Sequence, residues 1–209
     1  TLKDVKFSGL SWKNNDGFFY SSYDNPSEEN KSELSAKTQY HKLYFHRLNT
    51  AQEQDKLVYG GNKQPNRYVS GSVTEDQRYL AIYAGQNTSG RQLYIQDLTV
   101  TGSKPIKIQG DYFARASVIT NKNKTFYLYT NIDAPNGRIV SVDLSSPNIW
   151  KDVVSETENV MYPSSGGGNL FIRYLVDAKS QIMQFDLNGK IIREIELPAI
   201  GSAYGFSAK

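Results

Sequence analysis

Apolar and polar residues alternate in short runs along this chain, and one run recurs four times. It reads Leu43-Tyr44-Phe45-His46-Arg47-Leu48, then Leu93-Tyr94-Ile95-Gln96-Asp97-Leu98, Ile139-Val140-Ser141-Val142-Asp143-Leu144 and Ile182-Met183-Gln184-Phe185-Asp186-Leu187. A period of two sends successive side chains to opposite faces, as in a half-buried strand. The closing leucines are separated by 50, 46 and 43 residues, which fits the roughly 40–50 residues of a propeller blade. A second apolar run precedes each copy, at residues 18–21, 79–83, 126–129 and 170–173. Polar turns introduce these runs: Asn14-Asn15-Asp16-Gly17, Glu75-Asp76-Gln77-Arg78, Asn121-Lys122-Asn123-Lys124 and Gly166-Gly167-Gly168-Asn169. Gly and Asn tolerate the positive φ that tight hairpins demand. A first strand is predicted ahead of each turn, for example around residues 10–12 and 69–73. A fourth is predicted after the closing leucine, for example at 56–59, 105–108 and 191–195.

Four antiparallel strands repeated at this period predict an all-β fold, a β-propeller fragment of about four blades. The blades fall at approximately 5–61, 66–110, 112–156 and 160–198, and residues 200–209 read as the start of a next blade. Residues 1–209 are thus one partial propeller domain. No stretch keeps a 3.6-residue apolar period, so helical repeats do not fit. A sandwich would not repeat the same four-strand order four times. Residues 24–37, with Pro26-Ser27-Glu28-Glu29-Asn30-Lys31-Ser32-Glu33, break the rhythm. They predict a polar surface loop between the second and third strands of the first blade. The chain starts in one blade and stops in another, which predicts a fragment of a longer protein. Its open blade edges and exposed sheet faces predict self-association or marginal stability.

Composition agrees with a packed β protein. Hydrophobic residues make up 38%, with 15 Tyr and 9 Phe, and large aromatics suit a pleated surface. The net charge is +3, and no Lys/Arg cluster forms a basic face. Neither nucleic acid nor an anionic membrane is implied as a partner. No run of about 18 apolar residues occurs, so no spanning helix is predicted. The first residues do not form a signal peptide. There are no cysteines, which removes disulfides and thiolate chemistry. That absence is compatible with cytoplasm and periplasm alike.

Candidate chemistry is sparse. No G-x-S-x-G elbow occurs, so no catalytic residue of a serine hydrolase is assigned. His41 and His46 are five residues apart on one strand, which sends them to opposite faces. They form neither a metal pair nor a base-and-ligand pair, and no metal or other cofactor is implied. Asp97, Asp143 and Asp186 share one position of the third strand and read as turn residues accepting backbone N–H bonds. The glycine-rich loops Gly60-Gly61 and Gly85-Gln86-Asn87-Thr88-Ser89-Gly90 precede no phosphate-binding helix. Asn30-Lys31-Ser32, Asn87-Thr88-Ser89 and Asn123-Lys124-Thr125 match the glycosylation acceptor pattern, which matters only in a eukaryotic secretory setting.

Several segments, in order, resemble the propeller of the prolyl oligopeptidase family. They include Val5-Lys6-Phe7-Ser8-Gly9-Leu10-Ser11-Trp12 with Asp16-Gly17-Phe18-Phe19-Tyr20, and Tyr40-His41-Lys42-Leu43-Tyr44-Phe45-His46-Arg47-Leu48. Others are Ser72-Val73-Thr74-Glu75-Asp76-Gln77-Arg78-Tyr79-Leu80, Asn136-Gly137-Arg138-Ile139-Val140 and Ile200-Gly201-Ser202-Ala203-Tyr204-Gly205-Phe206-Ser207. The resemblance implies a seven-bladed propeller capping an α/β-hydrolase domain that carries Ser, Asp and His. That domain, absent from these residues, would be the partner of this chain, and short proline-containing peptides would be the substrates.

The resemblance also places three side chains toward the substrate cavity: Phe7, Tyr68 and Asn87. The family's peptide-binding arginine, in the same loop as Asn87, falls on Ala84, a departure that weakens peptide contact by that loop. The implied function is a non-catalytic cap that gates a serine peptidase. The rival readings are a free-standing propeller acting as a protein–protein scaffold and a related oligopeptidase of basic specificity.

Overall fold

The computed structural model describes residues 2–24, 39–61 and 63–206. Among these residues sixteen strands form four sheets, each a four-stranded antiparallel meander in sequence order. The first sheet contains β1 (Ser11–Lys13), β2 (Gly17–Asp24), β3 (Gln39–Arg47) and β4 (Lys56–Tyr59). The second contains β5 (Tyr68–Val73), β6 (Tyr79–Gly85), β7 (Gln92–Asp97) and β8 (Ile106–Gln109). The third contains β9 (Ala116–Lys122), β10 (Thr125–Thr130), β11 (Arg138–Asp143) and β12 (Trp150–Val154). The fourth contains β13 (Met161–Gly166), β14 (Asn169–Val176), β15 (Lys179–Phe185) and β16 (Ile191–Ile195). The polar loop read at residues 24–37 lies outside the described residues from 25 onward.

Two compact units divide the chain, Thr1–Phe113 and Ala114–Lys209. In the first unit, β2 and β3 of one sheet pack on β5 and β6 of the next. Phe19, Leu43, Val69, Leu80, Ile82 and Ala84 form this core. Burying each large side chain stabilises by roughly 1.5–3 kcal/mol. In the second unit, Ile139 and Val154 meet Met161, Leu170, Ile172, Tyr174 and Phe185. Second strands of the sheets carry the largest share of the burial: β6 holds Leu80, Ala81, Ile82 and Ala84 at 1% exposure or less. A strand covered on both faces reads as continuous hydrophobic sequence rather than an alternation, which is the pattern of Tyr79–Gly85.

The edge of β5 would expose unpaired backbone groups, a hazard for any sheet. Side chains of the first sheet satisfy them. Ser21 Oγ donates to the Val69 carbonyl at 2.7 Å, and the Val73 amide donates to Ser11 Oγ at 2.8 Å. Beyond the strand end, the Asn14 amide donates to Gln77 Oε1 at 2.7 Å, and Lys13 Nζ donates to the Gln77 carbonyl. Gly71 lets β5 approach closely, because a β-carbon there would lie 2.8 Å from Leu43 Cδ2. In the second unit, Ser165 Oγ on β13 donates to the Ile119 carbonyl on β9 at 3.1 Å.

The repeated aspartates close hairpins. The amides of Thr99, Ser145 and Asn188 donate to Asp97, Asp143 and Asp186 at 2.9, 2.8 and 2.9 Å. Each aspartate thus bonds the backbone two residues on, the Asx turn. Closing leucines extend the ladder: the amides of Leu48, Leu98 and Leu144 donate to the carbonyls of Asp16, Arg78 and Lys124. Arg47 occupies the aspartate's position in the first sheet. There Asn49 takes φ +61° and Thr50 Oγ1 donates to the Arg47 carbonyl at 2.7 Å.

Residues 200–206 form no ladder with the described residues. The Ser180 amide donates to the Gly201 carbonyl at 3.0 Å, and the Phe206 ring stacks on Phe171 at 5.6 Å. The Arg173 guanidinium lies over both Tyr162 and Tyr204, 3.9 and 4.8 Å from the ring centroids.

Candidate functional site

Phe7 and Tyr68 meet edge to face, with ring centroids 5.6 Å apart at 83°. Both are exposed, Phe7 to 66% and Tyr68 to 43%. Ordinary packing aromatics are mostly covered, so an outward-facing pair offers apolar area to something else. Phe7 sits at φ +54°, a backbone region that is unusual for a bulky residue and worth tracing to its cause. Neighbouring bonds hold it. His41 lies beneath, 3% exposed, with its ring centroid 5.5 Å from that of Tyr68. Its Nδ1 accepts from the Val69 amide at 2.9 Å, and its Nε2 lies 3.0 Å from the Lys6 carbonyl. An Nδ1 that accepts leaves Nε2 as the protonated nitrogen, the tautomer the network assigns. His41 therefore ties the segment before β1 to the start of β5, and so sets Phe7 beside Tyr68. Lys6 Nζ rests 5.5 Å from the Phe7 centroid. Burial pushes the His41 pKa below the usual imidazole value, as does the bond Nδ1 accepts from Val69, while the Nε2 bond to the Lys6 carbonyl favours the charged form.

Asn87 stands apart from this pair. Its Oδ1 accepts from the amides of Ser89 and Gly90 at 2.9 and 3.2 Å, holding its own loop. The loop follows Gly85, which pairs with Tyr68 across β5 and β6, so Asn87 belongs to the same end of the sheet. Ala84 is not in the loop as the resemblance placed it. It lies in β6, fully buried within the core, because β6 runs on to Gly85. Arg91 places its guanidinium 4.3 Å from the Tyr83 ring centroid. The residues that sequence reasoning missed are His41 and Lys6. The signal for His41 was its place on an inward position of β3, which the odd spacing to His46 already separated from its neighbour.

His46 belongs to a second cluster. Its Nδ1 lies 2.8 Å from Asp55 Oδ1, and Tyr20 Oη donates to Asp55 Oδ2 at 2.8 Å. Gln52 Nε2 donates to Tyr20 Oη at 3.3 Å and to the Lys3 carbonyl at 2.9 Å. Burial first, then the Asp55 carboxylate, push the Tyr20 phenol far up. The hydroxyl donates to the carboxylate and not to the imidazole, so this is a satisfied buried acid rather than an activated nucleophile. No group of three or more His, Cys, Asp or Glu side chains among the described residues could hold a metal ion.

Paired sheets of a four-stranded meander, repeated at one period, define a β-propeller domain. Residues 1–209 match the family described as "Prolyl oligopeptidase, N-terminal beta-propeller domain", and the chain belongs to it. It is 47% identical to the prolyl endopeptidase of Elizabethkingia miricola, covering 100% of this chain and 30% of that protein. A solved structure from work on two prolyl endopeptidases superposes with a TM-score of 0.86 at 31% identity, over 98% of this chain and 29% of that one. Prolyl oligopeptidase B of Galerina marginata, solved with a 35mer substrate bound, has the same fold at a TM-score of 0.85 and 22% identity, over 95% and 29% of the chains. This chain spans about 30% of the length of these curated relatives.

Proposed function

We propose that this chain is the substrate-gating cap of a serine peptidase that cleaves short proline-containing peptides. The exposed Phe7–Tyr68 pair carries the reading. Proline rings and neighbouring apolar side chains stack on such edges, and a rigid pair costs little conformational entropy when it binds. Phe7, Tyr68 and the Asn87 loop share one end of the sheets, which supports their facing a single cavity. The cap itself carries no catalytic group in this proposal. Its partner is the α/β-hydrolase domain of the parent chain, where water exclusion strengthens transition-state electrostatics.

The test uses the full parent enzyme with two substrates of one sequence, a hexapeptide and a folded protein presenting the same Pro site. Cleavage of the hexapeptide alone is expected. Tyr68→Ala should raise KM with kcat nearly unchanged, because it removes uniform binding rather than transition-state contact. Equal cleavage of both substrates would overturn the gating role. A parent protein with no peptidase activity would favour the scaffold reading.

A further inference from the structure

A second candidate site lies at the opposite end of the first unit from Phe7 and Tyr68. It is a cavity of about 760 Å³ between the first two sheets, within the size of small-molecule pockets. Phe19, Phe45 and Leu57 line its apolar side, with Phe19 and Phe45 rings 4.9 Å apart. Leu57 remains 53% exposed above it. Lys13, Arg47 and Lys56 stand around it against one carboxylate, Asp16. Lys13 is engaged by the Gln77 carbonyl. Arg47 and Lys56 have no ion pair among the described residues.

Gln96 also lines the cavity. Its Nε2 donates to the Ser103 carbonyl at 2.8 Å, which orients the amide. Its Oε1 is buried and accepts no hydrogen bond. That oxygen is enclosed by protein, so Gln96 forms part of the wall and offers the cavity no polar contact. Apolar lining and two uncompensated cations specify a ligand with two matching parts.

We infer that this cavity binds a small amphiphilic carboxylate, the chemistry of an N-acyl amino acid or a peptide's C-terminal residue. The apolar group covers Phe19, Phe45 and Leu57. The carboxylate meets Arg47 and Lys56. This inference rests on the cavity alone and stands or falls apart from the gating proposal.

Titration calorimetry with N-benzoyl-phenylalanine against the full chain tests it. Saturable binding is expected, with the methyl ester about tenfold weaker and the affinity falling as salt rises. Arg47→Gln and Lys56→Gln should each weaken binding by roughly threefold, the size of an exposed ion pair. Both sites are exposed, so melting curves should stay unchanged. A tripeptide ending in phenylalanine separates the sources: tighter binding than the small acid assigns a chain terminus, weaker binding a free acyl amino acid. No saturable binding, an ester that binds as well as the acid, or indifference to both Gln variants would overturn the site.

Discussion

The His41 imidazole, on β3, accepts the amide proton of Val69, on β5, at 2.9 Å. Two sheets are thus joined by a side chain whose other nitrogen holds Lys6. Replacing it by alanine orphans the buried Val69 amide and removes the bond to the Lys6 carbonyl. His41→Ala should cost about 2–4 kcal/mol, from the two lost bonds and a lost ring. Urea denaturation measures this. A cost below about 1 kcal/mol would show that water replaces both bonds.

The same residue makes stability depend on pH. Its folded pKa is lowered by burial, so the unfolded chain binds the proton first. The stabilisation is complete above the unfolded imidazole value of about 6.5 and is lost as pH falls through the lower folded value. Stability curves between pH 7 and 5 should slope downward for the wild type and flatten for His41→Gln.

A second pH dependence lies at the hairpin aspartates. The amide bond from Ser145 holds the Asp143 carboxyl below its usual value, and the Lys190 amide does the same for Asp186. Their contribution is present above the unfolded carboxyl value of about 3.9 and is lost as pH falls through the folded ones. Asp143→Asn with Asp186→Asn keeps the acceptor oxygen and removes the titration. The double variant should show a shallower acid limb with a neutral-pH midpoint close to wild type.

Close packing at Gly71 gives a volume test. A methyl there must displace Leu43 Cδ2 at 2.8 Å and Leu80 Cδ1 at 3.1 Å. Gly71→Ala should destabilise by about 1–3 kcal/mol, the usual cost of overpacking. Adding Leu43→Val should recover part of that, a coupling that a double-mutant cycle reads directly.

Leu10 and Trp12 remain 59% and 51% exposed, and Ile191 and Ile192 54% and 50%. Large apolar side chains left exposed drive association. Sedimentation of the isolated chain should show concentration-dependent oligomers that Trp12→Lys reduces. A monomer at every concentration with a high melting temperature would overturn the expectation.

The four-sheet architecture was legible because the pattern repeats and so checks itself. The turn role of Asp97, Asp143 and Asp186 was legible for the same reason. The site was less so. Phe7 and Tyr68 could be named through resemblance, but their contact depends on His41, whose two bonds span sheets distant in sequence. Ala84 went astray because β6 runs to Gly85, and strand ends depend on pairing partners that sequence does not display. The cavity near Arg47 had no signal at all, since it arises from how two separate sheets meet.

Three hairpins spend a carboxylate on their own closure, whereas the one after β3 closes through Asn49 and Thr50 instead. Position 47 is thereby chemically uncommitted. Its charge can be reversed, neutralised or replaced by a reporter group without disturbing the hairpin. Architecture and recognition are separable variables at that one copy of the repeat, and at the other three they are not.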